Sequence, residues 1–232
     1  MDYLIGIDIG TSGTKAALFD IDGNVIKSST AEYGMSQPYN GWAEQDPQDW
    51  WNAVQKTLAD IWTDGVAGIG LSGQMHGLVM LDEKNEVIRP AIIWCDQRTA
   101  AECDEITDII GRKRLIDITA NPALTGFTAS KIMWVKKHEP ENYAKCRHIL
   151  LPKDYIRFKL TGEFATDVSD TGGMQLLDIK NRCWSDEVAE KLGIDTDMLP
   201  KVYESTEIKG YGKVFPLPQA AETTRARRWA AG

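Results

Sequence analysis

The chain has 232 residues, of which 43% are hydrophobic and 26% are charged, and its formal net charge is −8. This composition is typical of a globular protein rather than a disordered one, and the acidic balance argues against a general nucleic-acid-binding surface. The sequence contains no run of about 18 apolar residues, so it predicts no membrane-spanning helix.

The cysteines and the N-terminus indicate a compartment. Cys95, Cys103, Cys146 and Cys183 lack the spacing of a metal site, and the chain has no Asn-x-Ser/Thr sequon. The N-terminus has no signal-peptide pattern. We therefore expect reduced thiols in a cytoplasmic protein, with a secreted protein that has two disulfides as the alternative.

The first 20 residues predict a β-hairpin. An apolar strand ends at Ile9, and a second apolar run extends from Ala16 to Phe19. The turn between them offers glycines, hydroxyls and one positive charge, from Gly10, Thr11, Ser12, Gly13, Thr14 and Lys15. Glycines let backbone N–H groups converge on an anion, while hydroxyls add hydrogen-bond donors. The sequence therefore predicts a phosphate-binding turn, and an ordinary hairpin with a polar tip is the alternative.

Asp8 lies near the end of the first strand and is the predicted metal ligand. Mg²⁺ keeps part of its hydration shell and takes one or two carboxylates together with phosphate oxygens. The turn is not a Walker loop, because no Gly-Lys-Ser/Thr opens a helix after it, and it lacks the Gly-x-Gly-x-x-Gly pattern of dinucleotide sites.

The elements that follow predict a mixed sheet covered by helices. Asp22-Gly23 turns the chain into a third antiparallel strand at 25–30, and a polar loop covers 32–44. Asp46 and Pro47 then open a helix whose tryptophans we expect in the core. Further expected elements are a strand at 65–71, a hairpin of 78–81 with 87–88, a short strand at 91–94 and a helix at 97–110. Antiparallel strands, a crossover helix and a further strand indicate an α/β architecture.

The rest of the chain divides into a helix-rich region and a tail. Expected elements are an amphipathic helix at 130–138, a strand at 147–151, and helices at 153–161 and 186–192. From Phe215 onward the sequence shows neither strand alternation nor a helical face. We expect residues 1–214 to form the domain and residues 215–232 to be an unstructured tail outside the native fold.

Two pairs of residues predict a sugar site. Met75 and His76 follow a strand, where an open α/β sheet places its ligand, and they offer apolar packing and a hydrogen-bonding ring. The alternative is a structural histidine in a turn. Trp94 and Asp96 end another strand and combine an aromatic plate with a carboxylate. For Asp96, the N-cap of the next helix is the competing interpretation.

Several motifs resemble the N-terminal domain of the FGGY family of carbohydrate kinases. They are Asp8-Ile-Gly-Thr-Ser-Gly-Thr-Lys15, Glu44-Gln-Asp-Pro47 with Trp50-Trp51, Gly73-Gln-Met-His-Gly77, Arg89-Pro-Ala-Ile-Ile-Trp94, Gly126-Phe-Thr-Ala-Ser-Lys131, and Leu150-Leu-Pro-Lys-Asp-Tyr155 with Thr161-Gly-Glu-Phe164. Together they span nearly all of residues 1–212. Within the family, the Met-His pair resembles the members that act on D-xylulose, since glycerol kinases resemble Gln-Arg-Glu there.

The resemblance implies a fold and a set of roles. The fold would be ribonuclease H-like, as in the actin, Hsp70 and sugar kinase superfamily. Asp8 would organise Mg²⁺ and the transferring phosphoryl group, and residues 10–15 would hold the ATP phosphates. Met75, His76, Trp94 and Asp96 would contact D-xylulose. A monomer and a homodimer both remain open.

The resemblance also implies parts that these residues lack. In the family, the base that accepts the sugar hydroxyl proton is an aspartate in a Gly-Gly-Asp-Asn segment, and a second domain closes the nucleotide site. Neither occurs in the 232 residues. We expect a truncated kinase with little or no turnover, because losing a general base alone costs about 10²–10⁴-fold in rate. Kinases of other polyols (ribulose, gluconate or glycerol) and a non-catalytic sugar-binding module are the alternatives.

Overall fold

The structure is a computed structural model that describes residues 2–212 and the backbone of residues 227–230. The strands are β1 (Tyr3–Ile9), β2 (Gly13–Phe19), β3 (Val25–Glu32), β4 (Glu44–Gln45), β5 (Val66–Gly73), β6 (Val79–Leu81), β7 (Ala91–Ile92), β8 (His148–Leu150), β9 (Ala165–Asp167), β10 (Leu177–Asp178), β11 (Cys183–Trp184), β12 (Lys201–Tyr203), β13 (Ile208–Gly212) and β14 (Arg227–Ala230). The helices are α1 (Pro47–Ile61), α2 (Ala100–Ile110), α3 (Arg112–Thr119), α4 (Thr128–His138), α5 (Pro140–Lys145), α6 (Pro152–Thr161), α7 (Val168–Thr171) and α8 (Asp186–Leu192).

The main sheet is mixed, in the order β13-β14-β5-β1-β2-β3. β1, β2 and β3 are consecutive antiparallel neighbours, and β5 returns parallel to β1. α1 makes the crossover between β3 and β5, as a parallel connection requires. The α/β mixed sheet predicted from the order of elements is therefore present.

The alternation of side chains along β1 gives the sheet a buried face and an exposed face. Ile5, Ile7 and Ile9 are almost fully buried and form one core with the apolar side of α1. Asp8 and Leu4 point to the opposite face and are exposed. This period of two places Asp8 on the accessible side of the sheet while the strand stays anchored in the core.

A second core lies among the later helices and the small sheets. β6 pairs with β8 and β4 pairs with β7, both antiparallel. Buried apolar side chains of α2, α3, α4 and α8 pack together with those of the β6–β8 pair. This layer supports the segment that follows β5.

Local signals predicted several helix ends correctly. Asp46 caps α1 by accepting from the Gln48 N–H, and Pro47 occupies the first turn. Gly162 ends α6 in the left-handed conformation, and the Ser185 hydroxyl caps α8 by accepting from the Val188 N–H. Trp50 is fully buried, which confirms its predicted place in the core.

Two sequence expectations need correction. The helix expected at 130–138 begins at Thr128, and its residues 128–135 are all buried, so α4 is not amphipathic over that part. Packing on several sides buries even the charged Lys131, which an amphipathic helix would leave exposed. Within the tail expected to be unstructured, residues 227–230 instead form β14, which pairs with β5 and β13. The rest of 215–232 lies outside the described residues.

The described part of the chain also bears on the cysteines and on membrane insertion. Cys95, Cys103, Cys146 and Cys183 are all free thiols. Among the helices that the structure describes, none has both the length and the apolar character needed to cross a bilayer.

Candidate functional site

The pairing of β1 with β5 brings the two predicted binding segments together. Because the strands are parallel and Ile9 is opposite Gly73, the chain leaves both at the same edge of the sheet. The backbone N–H of Gln74 donates to the Ile9 carbonyl at 2.7 Å. The turn at 10–13 and the segment at 74–77 are therefore neighbours, as expected for an open α/β sheet.

Side chains that were not predicted as site residues stabilise the turn at 10–13. The Gly10 N–H donates to the Gly13 carbonyl at 3.0 Å, and the Tyr33 hydroxyl donates to the Gly10 carbonyl at 2.6 Å. Gln45 Nε2 donates to the Thr11 carbonyl at 2.7 Å. Because these bonds occupy the turn's carbonyls, they fix its shape and leave its outer surface to a ligand. The one earlier signal for Gln45 was its position in the Glu44–Pro47 motif.

Gln45 is in turn part of a buried amide network. Its Oε1 accepts from Trp50 Nε1 at 3.1 Å and from Gln74 Nε2 at 2.8 Å. The three side chains come from β4, α1 and the end of β5, and all three are buried. Charged or polar groups buried in a connected network hold their elements in one arrangement. The network thus ties the turn to the helix core and to the segment at 74–77.

The predicted phosphate-binding residues differ in their accessibility. Ser12 and Lys15 are exposed, whereas Thr14 is fully buried with its hydroxyl 3.4 Å from the Tyr33 hydroxyl. The prediction that the Thr14 hydroxyl contacts phosphate is therefore wrong for its side chain. The reason is the period of two along β2, which turns Thr14 inward together with Ala16.

Asp8 lies in a polar row that crosses three strands. It is opposite Lys15 on β2 and opposite Ser72 on β5, and all three side chains are exposed. Ser72 was not predicted as a site residue. No cluster of three or more His, Cys, Asp or Glu side chains suited to a metal occurs in the described residues. One carboxylate beside hydroxyls and the predicted phosphate-binding turn fits Mg²⁺, which takes most other ligands from water and phosphate.

Trp94 joins the predicted sugar site to the predicted phosphate turn. Its indole Nε1 donates to the Thr11 hydroxyl at 2.9 Å, while the residue as a whole is 46% exposed. The exposed ring can stack against the carbon skeleton of a sugar while its N–H is held by the turn.

The structure does not place Asp96 at the surface of the site. Its carboxylate is fully buried, accepts from the Ala43 N–H at 2.6 Å and forms two-pronged hydrogen bonds with Arg98. Arg98 also forms an ion pair with Glu44, and its guanidinium carbon lies over the Trp42 ring, 3.7 Å from the ring centroid. The predicted sugar contact of Asp96 is therefore wrong in this arrangement. The N-cap alternative is also wrong, because Thr99 occupies that position of α2.

His76 is held rigidly at the rim of the site. Its backbone φ is 63°, a left-handed conformation that is uncommon outside glycine. Its carbonyl accepts from Lys131 Nζ at 2.8 Å and from the Thr128 hydroxyl at 3.2 Å. The ring packs edge-on against Phe127. These contacts stabilise the unusual backbone, and α4 supplies two of them. Met75 beside it is 51% exposed.

Burial determines the protonation states of His76 and Lys131. Burial, together with the smaller effect of the nearby Lys131 charge, lowers the pKa of His76 to about 4. Burial also lowers the pKa of Lys131 to about 7, against the opposing effect of Asp96. His76 is therefore neutral at neutral pH. Lys131 belongs to the Gly126–Lys131 motif, which was the only sequence signal for it.

The comparisons with known proteins agree with the geometry. Residues 3–219 match the N-terminal domain of the FGGY family of carbohydrate kinases. The chain is 42% identical to a xylulose kinase of Lactococcus lactis over 238 residues, covering 100% of this chain and 47% of the relative. Its fold is similar to the crystal structures of a xyloylose (xylulose) kinase from Brucella ovis, with a TM-score of 0.88 at 36% identity, and of a gluconate kinase from Lactobacillus acidophilus, with a TM-score of 0.86 at 29% identity. The match covers 98% of this chain and 46% of the first structure, and 91% and 44% for the second. The chain thus spans about half the length of the relatives it matches.

Proposed function

The chain belongs to the FGGY family of carbohydrate kinases, and from that premise we propose that the protein transfers the γ-phosphoryl group of ATP to D-xylulose, giving D-xylulose 5-phosphate in pentose catabolism. The observation that supports the proposal is the hydrogen bond from Trp94 to Thr11, which joins the proposed sugar-stacking ring to the proposed phosphate-binding turn. The cytoplasm is the proposed compartment, because the reaction consumes ATP.

The sugar would bind between Met75, His76 and the exposed ring of Trp94. The two apolar surfaces pack against its carbon skeleton, and the neutral imidazole forms a hydrogen bond with a hydroxyl. Sugar hydroxyls need fixed partners because a buried polar group without one loses affinity. The xylulose kinase relatives support D-xylulose as the substrate.

The ATP phosphates would lie on the turn at 10–13, with Ser12 and Lys15 as donors. Asp8 would hold Mg²⁺ through its exposed carboxylate. The bound ion would neutralise charge on the phosphate oxygens during transfer. The chain's own contribution is to fix both substrates at one edge of the sheet, which lowers the entropic cost of bringing them together.

These 232 residues contain no Gly-Gly-Asp-Asn segment, the family's source of the catalytic base. We therefore expect a polypeptide of these residues alone to bind sugar and to turn over little of it. A rate as high as that of a complete family member would contradict this expectation.

A chimera tests the proposed activity. Residues 1–212 replace the matched N-terminal part of the Lactococcus lactis xylulose kinase, and ADP release is followed with D-xylulose, D-ribulose, D-gluconate and glycerol. We expect D-xylulose to give the highest kcat/KM. The matched variants Asp8→Asn and Asp108→Asn, the latter at an exposed carboxylate on α2, should separate the site from the surface, with a loss of about 10²-fold or more in rate for the first and none for the second.

Two results would overturn the substrate assignment. A folded chimera that prefers D-gluconate would favour the gluconate kinase alternative, which the Lactobacillus acidophilus structure supports. A folded chimera that binds D-xylulose but phosphorylates none of the four compounds would favour a sugar-binding module.

A further inference from the structure

The hydrogen bond of the His76 ring determines where its proton lies. Nδ1 is 3.2 Å from the Gly173 carbonyl oxygen. A carbonyl oxygen only accepts hydrogen bonds, so Nδ1 must carry the proton. In a neutral imidazole the other nitrogen, Nε2, then has a free lone pair and acts as an acceptor. Nε2 has no hydrogen-bond partner within residues 2–212.

Gly173 can hold the ring in this way only as glycine. A Cβ built on Gly173 would lie 1.9 Å from His76 Cε1 and 2.0 Å from Nδ1, closer than any van der Waals contact. The backbone φ of Gly173 is not left-handed, so the requirement comes from the ring and not from the turn. Gly173 itself is buried and belongs to the 3₁₀ turn Gly172–Met174.

Separate contacts hold the backbone and the ring of His76. Lys131 and Thr128 bind its carbonyl, and Phe127 packs against the ring edge at 4.7 Å between centroids. The ring therefore has little freedom to turn over and exchange the positions of its nitrogens. Lys131 is the charged group that faces His76 from α4 and disfavours a second proton.

We propose that Gly173 is a positioning residue that locks His76 in the tautomer with Nε2 as acceptor, so that this position selects a hydroxyl donor and disfavours a carboxylate. The inference rests on the proposed function for the assignment of His76 to the sugar site. It adds the ligand chemistry: a ketose or polyol hydroxyl can donate to Nε2, whereas a carboxylate at neutral pH offers only lone pairs. Two acceptors that face each other with no proton between them disfavour binding, which supplies this kind of discrimination.

Nitrogen NMR of the histidine rings tests the tautomer in the 232-residue chain without any ligand. The chain has three histidines, His76, His138 and His148, and loss of one set of signals in His76→Asn assigns the relevant ring. We expect His76 at neutral pH to be a single neutral tautomer with the proton on Nδ1. A proton on Nε2, a charged ring or a mixture of tautomers would overturn the proposal.

Matched glycine variants test the role of Gly173. Gly173→Ala should abolish the single-tautomer signature of His76. Gly172→Ala is the control, because its Cβ would meet only Ile179 Cδ1 at an ordinary 3.6 Å, and it should leave the signature unchanged. An unchanged signature in a folded Gly173→Ala variant would contradict the lock. If that variant does not fold, the tautomer of His76 in the wild-type chain still tests the proposal.

A ligand titration separates this inference from the proposed function. D-xylulose should shift the His76 Nε2 resonance, and D-gluconate should bind at least about tenfold more weakly. Equal binding of both would overturn the selection while leaving the kinase proposal intact. A His76 resonance that moves with neither compound would remove His76 from the sugar site. Chimera activity on D-xylulose alone, with a mixed His76 tautomer, would reject only the inference.

Discussion

At the scale of single residues, Trp94 connects the proposed sugar site to the proposed phosphate-binding turn. The residue is 46% exposed, yet its indole N–H donates a hydrogen bond to the Thr11 hydroxyl. The sequence could suggest its chemistry, because an aromatic residue at a strand end is a typical sugar contact. It could not show the partner, because the bond joins residues 83 positions apart. The burial of Asp96 was not predictable for the same reason: its partner Ala43 is 53 positions away and becomes its neighbour only when the fold brings β4 and β7 together.

His76 predicts a pH dependence of stability. Its pKa falls from 6.5 to about 4 on folding, so between these values the unfolded chain binds more protons than the folded one. The stability that neutral His76 contributes is therefore complete above the unfolded pKa and is lost as the pH falls through the folded pKa. Urea unfolding at about pH 7 and about pH 5 should show wild type losing more stability than His76→Asn.

His138 and His148 are present in both proteins of that comparison, so their titration cancels. Equal losses of stability in wild type and in His76→Asn would contradict a buried, neutral His76.

At the scale of elements, the β1–β2 hairpin and α1 were predictable because their signals are local. Alternating apolar residues and the glycine turn specify the hairpin, and the Asp46-Pro47 start specifies the helix. The burial of α4 was not predictable from its own sequence, because burial on several sides depends on elements distant in sequence.

Gly13 should tolerate no side chain. A Cβ there would lie 2.8 Å from the Ala31 carbonyl oxygen, which is backbone and cannot yield without separating β2 from β3. Gly13→Ala should cost about 1–3 kcal/mol in the free energy of unfolding. Gly34→Ala is the matched control, because nothing lies within 4 Å of its Cβ and its φ is not left-handed. Chemical denaturation that ranks the two variants equally would contradict this account of the hairpin.

The two tryptophans should differ sharply in their contribution to stability. Trp50 is fully buried under the sheet, so Trp50→Ala should cost about 3–5 kcal/mol. Trp94→Ala should cost about 1 kcal/mol or less, because it removes one hydrogen bond from a partly exposed ring. Thermal or denaturant unfolding measures both. A larger loss for Trp94 than for Trp50 would mean that Trp94 belongs to the core.

At the scale of the whole molecule, the class of the fold was predictable but the strand order was not. Sequence order indicates which strands are neighbours when short turns join them, as for β1, β2 and β3. The pairing of residues 227–230 with β5 joins positions about 160 apart in the chain, and composition there pointed to an unstructured tail. Such pairing depends on the open edge of β5, which periodicity does not reveal.

The same scale explains why two distant motifs lie at one edge of the sheet. The parallel register of β1 and β5 carries Asp8 and the turn at 10–13 to the edge where Met75 and His76 emerge. Neither motif contains this information. The resemblance to FGGY kinases supplied it in advance, and the register accounts for it physically.

The central claim is that phosphate turn and sugar pair form one site, and the indole N–H of Trp94 reports on both. In spectra of the nitrogen-labelled chain, with Trp94→Phe to assign the signal, D-xylulose and Mg²⁺–ADP should each shift that resonance. His76→Asn should remove the first response, and Asp8→Asn should remove the second. The account would be contradicted if the Trp94 signal responded to neither ligand although D-xylulose still bound at His76 or Mg²⁺–ADP still bound at Asp8. That result would show two separate sites.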